Sequence, residues 1–532
     1  MSATRLPQRT ARTTPERLIA LGLVAATTLA LFWIEAKRPP LGVAGQYVYP
    51  YRPVTRPSAF LLLPVLALPL GGALAFVLFR RRGLARWQEW AVVAVLAAGS
   101  LLLHLGGACA TKLFPGAELA WPFLHVHWEG AYAVKAREAD DVGRFLSNYA
   151  HALDVSPVPG TPRWVHIHHA EVHPPGLILG FVALERFYGR FPGLDAAVRR
   201  WAAAALPSAS TLDHQEAFRI RHPVAVGLTA ALLTMVLASL TPVLGFATLR
   251  SMLPAVPSLV GAGLLALLPG VHLFSPSVDV AYPFLTLLVC FAGVRLVVTG
   301  RWGWGLALGG VLYAACFVHV GFALAAGVLG LATLFLWRAE QPQKRIGEMA
   351  RAAWRPLAAA AAGFLTPALV LQAAVGYPTF RVLLLCVRNN AYFNAEAART
   401  YWPWVAVVPF EFALSLGFAL ALVAGAGWLL EAGRAARQRS LRGASAVLLA
   451  IGAVLLALDL FGVNRGETAR LWLFLTPFLV IGAVDLVWRR AREPRRILAA
   501  LALAQALQVV WLTVLVDARL TTTFFAGVLG RQ

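Results

Sequence analysis

Apolar runs of helical length alternate with short polar stretches along almost the whole chain. A helix needs about 20 mainly apolar residues to cross the hydrocarbon core of a bilayer. Such runs fall at residues 17–35, 58–79, 89–107, 174–188, 222–249, 255–274, 280–299, 302–337, 354–375, 404–430, 443–463, 470–488 and 496–516. The run at 302–337 is long enough for two short spans broken near His319 and Gly321. The pattern therefore predicts an all-α polytopic membrane bundle of about 13 to 14 transmembrane helices.

A polar segment at residues 108–172 is the longest interruption of this pattern and lies between the third and fourth runs. It divides the chain into N-terminal transmembrane helices at 1–107, an extracytoplasmic loop with short helices at 108–172, and a transmembrane bundle at 173–532. Within the loop, residues 131–149 have a helical pattern. The loop is the natural place for chemistry outside the bilayer.

The composition agrees with a membrane protein, since 59% of the residues are hydrophobic and only 14% are charged, against about a quarter charged in soluble domains. The net charge of +22 comes from basic clusters that flank apolar runs. The basic residues do not form a stripe interleaved with aromatic residues, so the sequence does not predict nucleic-acid binding. The first run resembles a signal peptide, but Glu35, Lys37 and Arg38 follow it, which favours a retained first helix.

The basic clusters predict the orientation, because Arg-rich and Lys-rich loops stay on the cytoplasmic side. We expect the protein to lie in the inner (plasma) membrane. The segments expected on its cytoplasmic side are the N-terminus and residues 80–86, 338–355, 434–442 and 489–496. Alternation then places residues 36–57, 108–172, 376–402 and 464–468 outside. Between His173 and Arg338, however, six candidate spans stand where an odd number is required. One of them must be re-entrant, interfacial or wrongly divided, so the side of the turn at 275–279 stays open.

Histidines concentrate in the long loop and at the residue that closes it. Seven of the twelve are His125, His127, His151, His166, His168, His169 and His173. Imidazole and carboxylate suit zinc or manganese, so a divalent metal is one candidate cofactor. The spacing matches no standard metal pattern, and the alternative is a set of hydrogen-bonded loop residues. His104, His272, His319 and the four cysteines are interpreted as residues of the bundle interior.

Glu129 is the preferred catalytic carboxylate, since it follows Trp128 and precedes Tyr132 and the helical pattern of the loop. The alternative role is a helix cap, because an acid near a helix N-terminus is favourable. Glu118 is a weaker rival. At the end of the loop, Pro174 and Pro175 suit a first helical turn, which would hold His173 at the mouth of that helix.

Two further outward segments contain candidate binding residues. Asn389 lies in the polar stretch 388–392, and Arg465, Glu467 and Arg470 lie in the turn 464–470 between two apolar runs. Arg465 and Arg470 together could bind a phosphate, since guanidinium groups bind phosphate oxygens in pairs. The alternative is that both arginines snorkel at the membrane interface.

Four motifs resemble the GT-C superfamily of membrane glycosyltransferases, close to the protein O-mannosyltransferase and lipid A aminoarabinose transferase families. They are WEGAY at 128–132, HPPG at 173–176, FSPSVD at 274–279 and RGETARLW at 465–472. The resemblance covers roughly residues 120–480. It departs from the family in two ways: two extra helices precede the acidic loop, and a lone Glu stands where the family often has Asp or an Asp-Glu pair.

The resemblance implies an inverting glycosyltransferase that moves a sugar from a polyprenyl-phosphate donor to a glycan, lipid or protein acceptor outside the membrane. It assigns the general base to Glu129. Arg465, Arg470, His169 and His173 would stabilise the departing phosphate, and Trp128 and Tyr132 would stack on the sugar. One base suffices, because phosphate leaves without a proton donor, whereas glycosidases need two carboxylates.

Two other functions are compatible with many helices. A secondary transporter of a small solute or lipid-linked precursor would explain charges within apolar runs, such as Asp279, Asp459 and Asp485. Transporters usually contain two similar halves with interrupted helices, and no such repeat is visible in the sequence. A structural scaffold of the cell envelope would need no outward cluster of Glu, His and Arg.

Overall fold

The computed structural model describes residues 15–51, 60, 62–79, 84–109, 119–123, 129–154, 169–205, 221–340, 346–396, 399–438 and 445–516. The α-helices in these ranges are α1 (Pro15–Lys37), α2 (Leu62–Val65), α3 (Ala67–Phe79), α4 (Arg86–Cys109), α5 (Gly130–Ala136), α6 (Val142–Leu153), α7 (Gly176–Arg190), α8 (Pro192–Ala205), α9 (Pro223–Ser239), α10 (Thr241–Arg250), α11 (Ala255–Ala266), α12 (Pro269–Leu273), α13 (Tyr282–Thr299), α14 (Trp302–Val318), α15 (Phe322–Glu340), α16 (Ile346–Val375), α17 (Thr379–Glu396), α18 (Tyr401–Leu416), α19 (Phe418–Gln438), α20 (Ser445–Leu460), α21 (Thr468–Leu471), α22 (Thr476–Arg490) and α23 (Pro494–Leu515).

Shorter elements connect these helices. The 3-10 helices are Trp121–Phe123, His169–Val172, Val278–Ala281 and Leu473–Leu475. Two short strands, β1 (Leu41–Val43) and β2 (Tyr47–Tyr49), pair antiparallel just after α1. The β-sheet content of the described residues is confined to this hairpin and one isolated bridge, so the all-α class predicted from the sequence is confirmed.

Ten helical segments of the described chain are long and apolar enough to cross a membrane. They are Pro15–Lys37, Leu62–Phe79, Arg86–Cys109, Pro223–Arg250, Ala255–Leu273, Val278–Thr299, Trp354–Val375, Phe418–Arg437, Thr468–Arg490 and Pro494–Leu515. Three shorter apolar helices are Trp302–Val318, Phe322–Leu336 and Ser445–Leu460. The chain is thus a multi-pass membrane protein.

Two predicted runs are interrupted in the structure. The run at 302–337 divides into α14 and α15 at His319, as expected. The run at 404–430 is not continuous, because α18 ends before Gly417, whose φ of +101° suits glycine. The side chain of Gln505 donates to the Leu416 carbonyl at 2.8 Å, and Gln508 accepts from the Phe418 N–H at 2.9 Å. These buried amides satisfy the backbone that the break would otherwise leave unpaired.

Small residues let α14 and α16 pack closely. A Cβ added to Gly309 would lie 2.0 Å from the Ala360 carbonyl oxygen, and one added to Gly363 would lie 2.2 Å from the Leu306 carbonyl oxygen. Such close backbone approach is typical of helix pairs in membranes, where packing replaces the hydrophobic driving force.

The loop helices differ from the single helix predicted at 131–149. The chain forms α5 and α6 instead, and Asp141 caps α6 by accepting a hydrogen bond from the Arg144 N–H at 3.0 Å. The predicted span at 174–188 is a helix of the structure. It forms α7, which packs against α5, and its Arg186 donates to the Asp140 carbonyl at 2.8 Å. Helix α7 is not among the segments long and apolar enough to cross a membrane.

Several helices end in a region that we name the basic end, which is defined by Arg250, Arg434, Arg489, Arg490 and Arg492. There Glu89 accepts from Arg250 at 3.2 Å, and Glu431 contacts Arg434 at 2.8 Å and Arg490 at 3.4 Å. These contacts involve or adjoin three of the basic clusters that the sequence analysis expects on the cytoplasmic side.

Candidate functional site

Glu129 is buried at the start of α5, with 1% of its surface exposed. Its Oε1 accepts a hydrogen bond from the Val278 N–H at 3.2 Å. Its Oε2 has no hydrogen-bond partner among the described residues. Glu129 is the N-cap residue of α5, but its side chain makes no capping hydrogen bond to that helix. The carboxylate instead links the long loop to the turn before α13.

That turn brings Asp279 next to Arg470. The Arg470 Nε lies 3.3 Å from the Asp279 Oδ2, and both side chains are 7% exposed. Ser277 donates to the same carboxylate oxygen at 3.0 Å. Glu129 interacts electrostatically with both Asp279 and Arg470. Segments that are distant in sequence therefore meet around one guanidinium group.

Two more carboxylates lie at the start of α21, the helix that contains Arg470. Glu467 lies 3.6 Å from the Arg470 guanidinium. Glu411 of α18 accepts from the Thr468 N–H at 3.0 Å and from its hydroxyl at 2.7 Å. We name Glu129, Asp279, Glu411, Glu467 and Arg470 the acidic cluster. The cluster contains four carboxylates and one guanidinium group, so it carries an excess of negative charge whenever its acids are ionised.

The turn before α21 has an unusual backbone. Glu467 has a φ of +58°, in the left-handed region that few residues other than glycine adopt. Gly466 before it has a φ of +106°, and a Cβ there would lie 2.9 Å from the Arg399 guanidinium. Strained backbone of this kind is often found at functional sites. Here it directs Glu467 towards Arg470.

Aromatic and imidazole rings form one wall of the cluster. The ring centroids of Tyr132 and His173 are 5.7 Å apart, those of His173 and His319 are 4.9 Å apart, and those of His319 and Tyr282 are 5.1 Å apart. Burial raises the pKa of Tyr132 well above 10, and the nearby Tyr282, Asp279 and Glu129 add to this effect. Tyr132 therefore keeps its proton and can donate a hydrogen bond.

The hairpin after α1 forms a second wall. Tyr47 hydrogen-bonds to Glu467, and the Tyr49 ring packs on Phe274 with centroids 5.6 Å apart. The two tyrosines share one face of β2, because side chains alternate along a strand. The sequence placed this segment outside but assigned it no role.

Arg465 contacts Arg399 and Tyr401. It donates to the Arg399 carbonyl at 3.0 Å and lies over the Tyr401 ring at 5.5 Å. Asn389 is likewise a framework residue, since it donates to the carbonyls of Leu153 at 3.0 Å and Glu171 at 3.2 Å. The paired phosphate site predicted for Arg465 and Arg470 thus has one of its members in the cluster.

Several predicted residues lie outside the described part of the chain. They are Glu118, His125, His127, Trp128, His166 and His168. His169 begins a described 3-10 helix, but its side chain is not described. His104 and His272, predicted as separate interior residues, pack together with ring centroids 4.7 Å apart, and the four cysteines are buried thiols.

Asp279, Glu411, Tyr49, Tyr282 and His319 join the site without having been predicted for it. Asp279 and Glu411 carried a usable signal, because an acid inside an apolar run is a functional candidate. Tyr49 carried a weaker one, the alternating tyrosines of the short segment after α1. Nothing in the local sequence around Tyr282 or His319 distinguishes them from ordinary interior residues.

The site offers several buried polar atoms to a ligand. Within the described residues, Glu129 Oε2, Glu411 Oε1 and the hydroxyls of Tyr49 and Tyr282 have no hydrogen-bond partner. Buried polar groups normally have partners. Carboxylates and phenols next to one guanidinium suit a ligand with several hydroxyl groups and one anionic group.

No protein-family model matches the chain, and a comparison with curated proteins finds no match either.

Proposed function

We propose that the protein is a membrane glycosyltransferase of the GT-C type, which moves a sugar from a polyprenyl-phosphate donor to an acceptor at the extracytoplasmic face of the inner membrane. The observation that carries the proposal is the acidic cluster, with the unpartnered Oε2 of Glu129 beside Arg470 and Asp279. A sugar phosphate supplies hydroxyls for the carboxylates and phenols, and an anion for the guanidinium.

In the proposed reaction, Glu129 acts as general base. Its carboxylate takes the proton of an acceptor hydroxyl while the hydroxyl oxygen forms a bond to the anomeric carbon. The bond from that carbon to the phosphate oxygen breaks, and its electron pair leaves with the polyprenyl phosphate. Arg470 stabilises the negative charge that develops on the phosphate, and Asp279 holds Arg470 in place.

In the proposed topology the chain crosses the membrane thirteen times, and the acidic cluster lies outside. Helix α7 packs on the loop helices, so five spans remain between His173 and Arg338, and the odd number required by the basic clusters is restored. The discontinuous pair α18 and α19 counts as one crossing. The turn at 275–279 then lies on the same side as Glu129, which agrees with their hydrogen bond.

A donor with a lipid tail suits this position. Its phosphate would lie at the level of the lipid headgroups, where helix ends and short turns form the binding site. Arg470 begins such a segment, since α21 and α22 together are apolar enough to span the membrane. The acceptor, a glycan, lipid or protein, would approach from the side of the loop.

The described residues do not by themselves form a metal site. They include no group of three or more His, Cys, Asp or Glu side chains placed to hold an ion, and Arg470 lies against Asp279. The histidine stretch 166–168 is outside the described chain.

The test compares two carboxamide variants of the full-length protein reconstituted in vesicles. Glu129→Gln should lower sugar transfer from radiolabelled hexosyl polyprenyl phosphates by about 10²-fold to 10⁴-fold, the usual contribution of a general base. The control is Glu138→Gln, because Glu138 pairs with Lys135 at 3.0 Å and is 58% exposed. This control should transfer at the wild-type rate.

Each alternative gives a different result. Full activity of Glu129→Gln would remove Glu129 as the base. A wild-type protein that transfers no sugar but carries the intact lipid-linked sugar across the vesicle membrane would instead support the transporter.

A further inference from the structure

The hairpin Leu41–Tyr49 belongs to the site and is more than a connection between α1 and α2. Gln46 at its tip makes three hydrogen bonds with the start of α18: its Oε1 accepts from the Thr400 N–H at 2.8 Å and from the Trp404 Nε1 at 2.9 Å, and its Nε2 donates to the Thr400 hydroxyl at 2.7 Å. A side-chain amide whose donor and acceptor are both used fixes the hairpin in position.

The hydroxyl groups of the two tyrosines of β2 differ in their hydrogen bonding. The hydroxyl of Tyr47 bonds to Glu467, and the Arg399 guanidinium lies 5.4 Å from the Tyr47 ring centroid. Tyr47 is therefore part of the framework. Tyr49 is 2% exposed, and among the described residues its hydroxyl has no hydrogen-bond partner. An unpaired buried hydroxyl costs free energy, so a ligand is a natural partner for it.

The charges around Tyr49 indicate which part of the ligand it contacts. Tyr49 interacts electrostatically with Glu411, Glu467 and Arg470, two acids and one base. A second phosphate oxygen would be repelled by the two carboxylates, whereas a sugar hydroxyl can donate to a carboxylate and accept from a phenol. Burial, helped by Glu411, raises the pKa of Tyr49 well above 10, so the phenol keeps its proton.

We propose that Tyr49 binds a hydroxyl group of the transferred sugar, and that the hairpin between the first two helices is a wall of the sugar pocket. This inference rests on the proposed function. It assigns to the hairpin the recognition of the sugar, while Arg470 recognises the phosphate.

The experiment measures binding of two lipids to the full-length protein in detergent, from the ligand-dependent rise of its thermal unfolding midpoint. The probes are a hexosyl polyprenyl phosphate and the same polyprenyl phosphate without sugar. Tyr49→Phe removes one hydroxyl. It should weaken binding of the sugar-bearing lipid about tenfold, as expected for one hydrogen bond, and leave binding of the bare lipid unchanged.

Tyr51→Phe is the matched control from the same segment. The Tyr51 hydroxyl donates to the Pro39 carbonyl at 2.8 Å, so its removal tests whether any lost hydroxyl near the hairpin weakens binding. It should change the affinity for neither lipid.

The outcomes separate this inference from the proposed function. If Tyr49→Phe weakens binding of both lipids equally, or of neither, Tyr49 does not contact the sugar, although wild-type preference for the glycosylated lipid would leave the enzyme proposal standing. If the wild-type protein binds the two lipids equally, no sugar pocket exists and both proposals fail.

Discussion

The acidic cluster and the basic end both contain acid–arginine pairs, but the arginine side chains differ in how far they are exposed. At the basic end Glu431 is buried, while its partners Arg434 and Arg490 are 40% and 48% exposed. In the acidic cluster Arg470 and Asp279 are both 7% exposed. An arginine that keeps its head in water retains its hydration, whereas a fully buried pair loses hydration on both sides.

The two regions therefore differ in the free energy lost by dehydrating charged groups. The exposed pairs of the basic end anchor helix ends with little loss of hydration, which suffices for a topology signal. The acidic cluster combines four carboxylates with one guanidinium group, and its Asp279–Arg470 pair is buried. Such an arrangement is a poor way to gain stability, and it is therefore the part of the molecule most readily explained by a ligand.

The largest effect is expected when the buried cation is removed. Arg470→Ala leaves Asp279 without its cation, and it should lower the free energy of unfolding by about 3–5 kcal/mol. It should also abolish sugar transfer. Arg489→Ala is the control at the basic end, since Arg489 pairs with Asp485 but is 47% exposed. Thermal unfolding in detergent checks both, and equal losses would erase the distinction between the two regions.

Removing the partner as well should separate stability from function. In the double variant Arg470→Ala with Asp279→Asn, the carboxamide no longer needs a cation, so a large part of the lost stability should return. Transfer should stay abolished, because the phosphate still lacks Arg470. Recovery of transfer together with stability would show that Arg470 has only a structural role.

A smaller effect is expected from the buried acid of the basic end. Glu431→Gln leaves Arg434 and Arg490 without their acid, but both guanidinium groups can turn to water or lipid headgroups. The free energy of unfolding should fall by about 1 kcal/mol or less. A loss as large as that of Arg470→Ala would mean that exposure of the arginine does not reduce the cost.

The smallest effect concerns an exposed pair that ties α6 to α17. Arg388 hydrogen-bonds to Asp154 at 2.8 Å and, followed by Arg381, lowers the pKa of Asp154. A lowered pKa in the folded state means that the pair contributes above the unfolded pKa of about 3.9 and that the contribution disappears as pH falls through the folded value.

The difference in thermal unfolding midpoint between the wild type and Asp154→Asn should accordingly be constant above about pH 4 and shrink at lower pH. High salt should reduce it, since both partners are partly exposed. A difference that grows as the pH falls would contradict this account of the pair.

The sequence predicted what depends on local pattern. Apolar runs of spanning length gave the all-α membrane bundle, and the break at His319 could be read from polar residues inside a long run. The break at Gly417 could not, because it depends on Gln505 and Gln508 of a helix far along the chain. Helix α7, predicted as a span, packs against α5 and is not among the described segments long and apolar enough to cross a membrane.

The site was predicted only in part for the same reason. Glu129, Tyr132, His173, Glu467 and Arg470 stand out as polar or aromatic residues at the ends of apolar runs, and the structure brings them together. Asp279 and Tyr49 join them through contacts between distant segments that no local pattern specifies. Arg465, one position from the strained turn, resembles Arg470 in sequence but packs on Arg399 and Tyr401.

The most direct measurement of the central claim is an experimental structure of the full-length protein with a hexosyl polyprenyl phosphate bound. The proposal predicts that the lipid phosphate contacts the Arg470 guanidinium at hydrogen-bond distance, about 3 Å, with the sugar between Glu129 and Tyr49. A phosphate bound at the basic end, with the acidic cluster unchanged and empty of sugar, would contradict it.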